Sequence, residues 1–142
     1  MSNKLKTIES EDETTYLLID ENENEIMNIK EDSGYEIIEV FEEEGGFFSA
    51  SYYDSYENEM FVLFDNAGKD IFYGITGIQK FISNKNEFIL TIDSLSQENI
   101  DHSFNAEDEI LWCVINKKGD FICHPQKNSI SYSEDENKYL LD

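Results

Sequence analysis

The side chains of this sequence that could do nucleophilic or metal chemistry are few: His102, Cys113, Cys123 and His124, beside three Met. Zinc sites use Cys and His at short paired spacings, and these intervals match no Cys-x2-Cys or Cys/His pattern. With Lys118-Gly119 as a hairpin loop, Cys113 falls opposite His124 and Cys123 opposite Val114, which sends the two thiols to opposite faces of a sheet. Cys113 with His102 or His124 would make a nucleophile and base, but Cys113 lies in an apolar run with no elbow motif. Ser49, Ser51 and Ser55 have no His nearby in the sequence. Asp20-x-Asn22-x-Asn24 has the opening of a calcium loop, with Glu31 at the twelfth position. Glu25 takes the sixth position, where the sharp turn needs Gly, so an Asx-type turn between strands is expected. With 32 Asp and Glu, accidental carboxylate pairs are abundant, so no pair singles out a hydrolase. Gly74-Ile75-Thr76-Gly77 is not a phosphate loop, since it lacks the Gly-rich turn before a helix with Lys. A non-catalytic protein with no metal and no cofactor is expected.

Charge narrows the partners. The 142 residues carry 10 basic residues, all Lys, and a net charge of -22. Without Arg there is no bidentate clamp for phosphate or guanine, and scattered Lys make no basic face. Anionic membranes repel such a surface. No direct nucleic-acid contact and no membrane contact are expected, and a basic protein is the natural complement. The same acidity would also serve solubility alone. Met1 to Ile8 lacks an apolar signal core and no run approaches the ~20 apolar residues of a membrane span, so a cytoplasmic protein is expected. An apolar fraction of 39% excludes a wholly disordered acidic tail.

The elements that position these residues read as strands. Short Ile-, Val-, Tyr- and Phe-rich runs alternate with Asn, Asp, Gly and Glu clusters. They predict strands over 16–20, 25–29, 35–41, 47–53, 60–64, 70–73, 78–82, 87–92, 110–115 and 120–124, with weaker ones over 129–133 and 139–141. Residues 1–14 are expected to form a flexible acidic leader. Helical turns are expected within 95–102 and 106–109. Pro125 is expected to end a strand. The glutamates at 25, 36, 39 and 87 alternate with apolar residues and read as a wet face.

A repeat organises the chain. Tyr16 to Ile26, Phe61 to Ile71 and Leu111 to Phe121 each run apolar strand, Asp or Asn, polar turn, acid and apolar residue. Asp20, Asp65 and Asn116 hold equivalent places, where the side chain can bond backbone two residues on. Repeat units near 16–56, 60–94 and 110–141 are expected within one β-rich domain over 15–142. The fold class expected is mostly β, with antiparallel hairpin or meander repeats forming one curved sheet, a small sandwich or a partial propeller-like domain.

Phe64-Asp65-Asn66-Ala67-Gly68-Lys69-Asp70-Ile71, followed by Ile75-Thr76-Gly77-Ile78-Gln79-Lys80-Phe81, resembles the unit of WG-repeat proteins. The resemblance covers about residues 16 to 125. Asn24 stands where the first unit should have Gly, and Trp112 precedes Cys113 and not Gly. The resemblance implies a β-rich interaction module, and some such proteins act as immunity proteins beside toxin systems.

Acidity and aromatics meet at one place. Residues 1–60 hold 18 acids and three Lys, and Glu42-Glu43-Glu44-Gly45-Gly46 reads as a hairpin turn. Tyr52, Tyr53 and Tyr56 follow it, and carboxylates with Tyr suit Lys and Arg. Glu39, Glu42, Glu43, Glu44, Tyr52, Tyr53, Asp54, Tyr56 and Glu57 are the expected partner-binding residues. The functional expectation is an immunity or inhibitor protein that occludes a basic partner, a nuclease toxin in the leading case. The alternative is a non-catalytic interaction or structural module.

Overall fold

Asp20, Asp65 and Asn116 close their hairpins with one set of bonds in the computed structural model, which describes residues 3–55, 57–93 and 110–142. The N–H of each donates to the carbonyl four residues on, at 3.0, 2.9 and 2.9 Å. The N–H three residues on donates back to the Asx carbonyl. Each Oδ1 accepts from the N–H groups two and four residues on, at 2.9 or 3.0 Å. This geometry drives the fourth residue to positive φ: Glu23 at 65°, Gly68 at 88° and Gly119 at 88°. Asp54 builds a further copy, with its N–H on the Asn58 carbonyl at 3.0 Å, its Oδ1 accepting from the Asn58 N–H at 2.9 Å, and Glu57 at φ 64°.

The chain divides into two units, Met1–Tyr73 and Gly74–Asp142, where the sequence predicts one domain. Each unit has its own apolar cluster. In the first unit, β1 (Lys4–Glu9), β2 (Thr14–Ile19) and β3 (Glu25–Asn28) form an antiparallel sheet. The four-residue helix α1 (Ile29–Asp32) follows, its Asn28 cap accepting from the Glu31 N–H. Then β4 (Ile37–Glu42), β5 (Phe48–Tyr53), β6 (Glu59–Phe64) and the start of β7 (Asp70–Ile82) form a meander in that order. Phe48 pairs with Phe64, Ala50 with Val62 and Tyr52 with Met60, so one face of this ladder is apolar. Leu18 and Ile29 close over it, and the Phe48 and Phe64 rings stack at 4.9 Å.

In the second unit β7 continues beside β8 (Glu87–Asp93), β9 (Ile110–Asn116) and β10 (Phe121–Gln126), again in meander order. A separate hairpin, β11 (Ile130–Ser133) and β12 (Lys138–Leu141), packs Ile130 with Ile82, Ile89 and Val114. The turns at 83–86 and 134–137 both place Asn at φ 53°. The Tyr139 hydroxyl donates to Glu87 at 2.7 Å. The repeat is therefore a sequence of hairpins in which Asx-closed turns recur along a mostly β chain.

Several expectations change. Residues 4–9 are a strand and not a leader, because the Ser10–Glu13 turn folds them onto β2 and Leu5 packs against the core. The expected strands at 70–73 and 78–82 are one strand, carried through by register shifts at Ile75/Gly77 and Ile78/Lys80. Pro125 lies inside β10, which ends the strand order, so its missing N–H costs no ladder bond on that side. Glu87 is half-buried under Tyr139 and does not belong to a wet face. The helical turns expected within 95–102 and 106–109, with His102 and Tyr56, lie outside the described residues.

Gly68 is needed twice, since φ is 88° and a Cβ there would stand 2.5 Å from the Met27 Sδ. Glu23 holds the equivalent place with an exposed side chain. Gly68→Ala should cost about 2 kcal/mol and Glu23→Gly should gain about 0.5 kcal/mol, read as opposite shifts of the urea midpoint. Asp20 gives a pH test. The Asn24 backbone N–H holds its carboxyl below the usual Asp value, against the opposing effect of burial and with help from the Asn24 amide and the Asn22 N–H. A lowered folded value stabilises above the unfolded pKa and is lost as pH falls through the folded one. The stability of the parent minus that of Asp20→Asn should be flat near neutrality and fall below about pH 4.

Candidate functional site

The nine expected contact residues do not form one patch. Glu42, Glu43 and Glu44 lie at the β4–β5 turn, at the start of β5. Asp54 and Glu57 lie at the β5–β6 turn beyond its other end. Six residues of strand separate the two turns, roughly 17 Å. Alternation divides the aromatics as well. Tyr52 is 8% exposed and packs in the core, with the Tyr35 ring at 5.0 Å, so it is not a contact residue. Tyr53, one residue on, is 55% exposed. Asp54 spends its carboxylate on the Asn58 N–H, and Glu57 serves as the positive-φ residue of that turn. Tyr56 lies outside the described residues.

The acidic turn is firmly built. The Glu43 N–H donates to the Phe47 carbonyl at 3.0 Å, and Glu44–Gly46 makes a single 3-10 turn. Gly45 and Gly46 take φ of 77° and 86°, as a turn at that place requires. Ser49 Oγ donates to Glu43 Oε2 at 2.7 Å. The Asn66 side-chain amide donates to the Gly46 carbonyl at 3.0 Å and to the Asn3 carbonyl at 2.9 Å. Its Oδ1 accepts from the Asn3 N–H at 2.8 Å. One asparagine thus ties together the acidic turn, the start of β1 and the Asp65 turn. Lys4, Glu42, Glu43 and Asn66 line a cavity of about 190 Å³ there.

Sequence reasoning missed three exposed neighbours. Ile38 is 38% and Phe41 37% exposed on β4, and Glu59 pairs with Tyr53 across the ladder. With Glu39 and Glu42, also exposed, Ile38 and Phe41 make the edge strand β4 an acidic and partly apolar surface. The signal was available: residues 31–68 contain eleven acids and no Lys, Arg or His.

The thiol chemistry weighed from sequence finds little support. Cys123 pairs with Val114, as the loop predicts, but a register shift sets both His124 and Pro125 in the place opposite Cys113. Cys113 is buried, and burial first, with Cys123 adding to it, pushes its thiol up to about 12. Thiolate is therefore scarce near neutral pH. Asp20 uses its carboxylate to hold its own turn. Among the described residues no group of three or more His, Cys, Asp and Glu is placed to hold a metal ion. No helix among them is long and apolar enough to cross a membrane.

No protein-family model matches the chain, and neither a curated protein nor a solved structure does.

The division between Tyr52 and Tyr53 is measurable. Tyr52→Ala should lose about 3 kcal/mol in urea unfolding. Tyr53→Ala should change stability by less than about 0.5 kcal/mol.

Proposed function

We propose that this protein is an inhibitor of immunity type, which binds a basic protein and blocks it by occlusion and charge. The observation that carries the reading is the anchored acidic turn, Glu42 to Glu44, within a 38-residue stretch (31–68) that has eleven acids and no basic residue. A turn already held by Asn66 and Ser49 loses little freedom on binding, which favours affinity. Its charge would steer a cationic partner and compete with phosphate for the same face. A nuclease toxin, whose substrate face must be basic, is the partner class that best fits. The resemblance of residues 64–81 to WG-repeat proteins, some of which act in immunity to toxins, agrees with this reading. Its action needs no catalytic group and no cofactor, and a cytoplasmic setting suits it.

The test is capture on the immobilised protein from a lysate of its own source at about 50 and 150 mM salt, where screening differs. A basic nuclease should be recovered at the lower salt and stop cutting with one equivalent of inhibitor. Replacing Glu42, Glu43 and Glu44 together by Lys should weaken capture at least about tenfold. Recovery of no basic protein at either salt overturns the reading and leaves the acidity to solubility.

A further inference from the structure

We propose that the edge of β4, which no other described strand covers, takes up an extended segment of the basic partner as an added strand, with Lys or Arg of that segment beside Glu39 and Glu42 and apolar residues beside Val40 and Phe41. The inference rests on the reading of a basic partner and adds how and where it is held.

The ends of the strand order differ. On β10 the edge carries Pro125, which has no N–H, and register shifts at Phe121/Cys123 and Cys123/Gln126. Proline and bulges are among the devices that blunt an edge. On β4 the single shift lies between Ile37 and Glu39. Beyond it come four regular pairs in succession: Glu39 with Ser51, Val40 with Ala50, Phe41 with Ser49 and Glu42 with Phe48. No proline interrupts the strand.

The direction of the backbone groups follows from the turn. The Glu43 N–H bonds the Phe47 carbonyl, so that pair is of the hydrogen-bonded kind. Antiparallel pairs alternate, so Phe41 and Glu39 turn their N–H and C=O toward β5, whereas Val40 and Glu42 turn theirs outward. The Ser51 hydroxyl on the Glu39 carbonyl agrees with this phase. An incoming strand therefore meets two residues with outward donors and acceptors, which is the main-chain requirement for strand addition.

The side chains choose the occupant. Glu39 and Glu42 are exposed along the strand, with Glu44 just beyond it, and Ile38 and Phe41 are exposed among them. Opposite-charge pairs across strands stabilise a sheet and like pairs oppose it. A strand with Lys or Arg beside the glutamates and aliphatic residues beside Phe41 complements this edge. An acidic strand is repelled.

The probe is a synthetic octapeptide of two Lys-Val-Val-Lys repeats, which sets Lys beside Glu39 and Glu42 and Val beside Val40 and Phe41, next to the same peptide N-methylated at every second residue. Both have the same charge, but the methylated one cannot complete a ladder. At about 50 mM salt the parent peptide should bind at least about tenfold more tightly than the methylated one. It should also slow hydrogen exchange at the Val40 and Glu42 amides. Val40→Pro, which removes an outward N–H and keeps every charge, should abolish that preference. Equal affinity for the two peptides, protection confined to other residues, or no binding at low salt overturns the proposal. If the captured basic protein binds Val40→Pro as well as the parent, strand addition fails while occlusion by the acidic surface stands.

Discussion

The side-chain oxygen of Asp20, Asp54, Asp65 or Asn116 closes a hairpin onto backbone N–H groups that the turn would otherwise leave open. Register depends on this closure, and everything else in a meander depends on register. A slip of one residue at the Asp54 turn would exchange the two faces of β5 and β6. Phe48, Ala50 and Tyr52 would then turn away from Leu18 and Ile29, and Ser49, Ser51 and Tyr53 would take their places there. In a chain with 32 acids the penalty of a slip is larger than lost apolar burial. On β4 it would carry Glu39 inward, and an unpaired buried carboxylate costs several kcal/mol. The turns therefore keep a highly charged sequence on one pairing.

The same closure explains what could be read from the sequence. Apolar runs bounded by polar turns made most strands legible, and the recurrence of Asp20, Asp65 and Asn116 made the repeat legible. The Asp54 copy was hidden although Glu57 and Asn58 match Glu23 and Asn24, because it follows the Ser- and Tyr-rich strand Phe48–Tyr53 and not an aliphatic run. β1 was hidden because of its six residues Leu5 is the one that packs against the core, so hydropathy has no period to show. β7 appeared as two strands because Gly74 and Gly77 weaken the pattern in its middle. There Thr91 ties the strand together, accepting from Thr76 at 2.9 Å and from Gln79 at 3.1 Å. The acidic turn of the candidate site was legible as composition. Its division from Asp54 and Glu57 was not, since it depends on strand length, and Tyr52 and Tyr53 differ only in the parity of one residue.

Three adjacent glutamates repel one another, and a loose turn would let them spread. Here three separate bonds oppose that spreading: Glu43 to Phe47, Ser49 to Glu43 and Asn66 to Gly46. Asn66 sits within the Asp65 turn, so the geometry of one repeated hairpin is passed to a different turn 20 residues earlier. The potential at the acidic turn is consequently fixed in place as well as sign. A fixed potential gives specificity, because it rewards a partner whose cations stand at matching positions.

An exposed strand edge invites copies of the same chain to pair, and lysines or prolines commonly prevent it. On β4 the prevention falls to Glu39 and Glu42, flanked by Glu43 and Glu44. Two β4 edges brought together would set glutamate against glutamate in a chain whose net charge is already -22. That repulsion acts most strongly within about 8 Å at physiological salt, a range that extends beyond the roughly 4.8 Å spacing of paired strands. A cationic strand approaching the same edge meets attraction over that distance and finds the outward groups of Val40 and Glu42 available to it. On the proposed reading, one set of charges would oppose self-association and favour the basic occupant, so solubility and recognition need not be separate uses of the acidity.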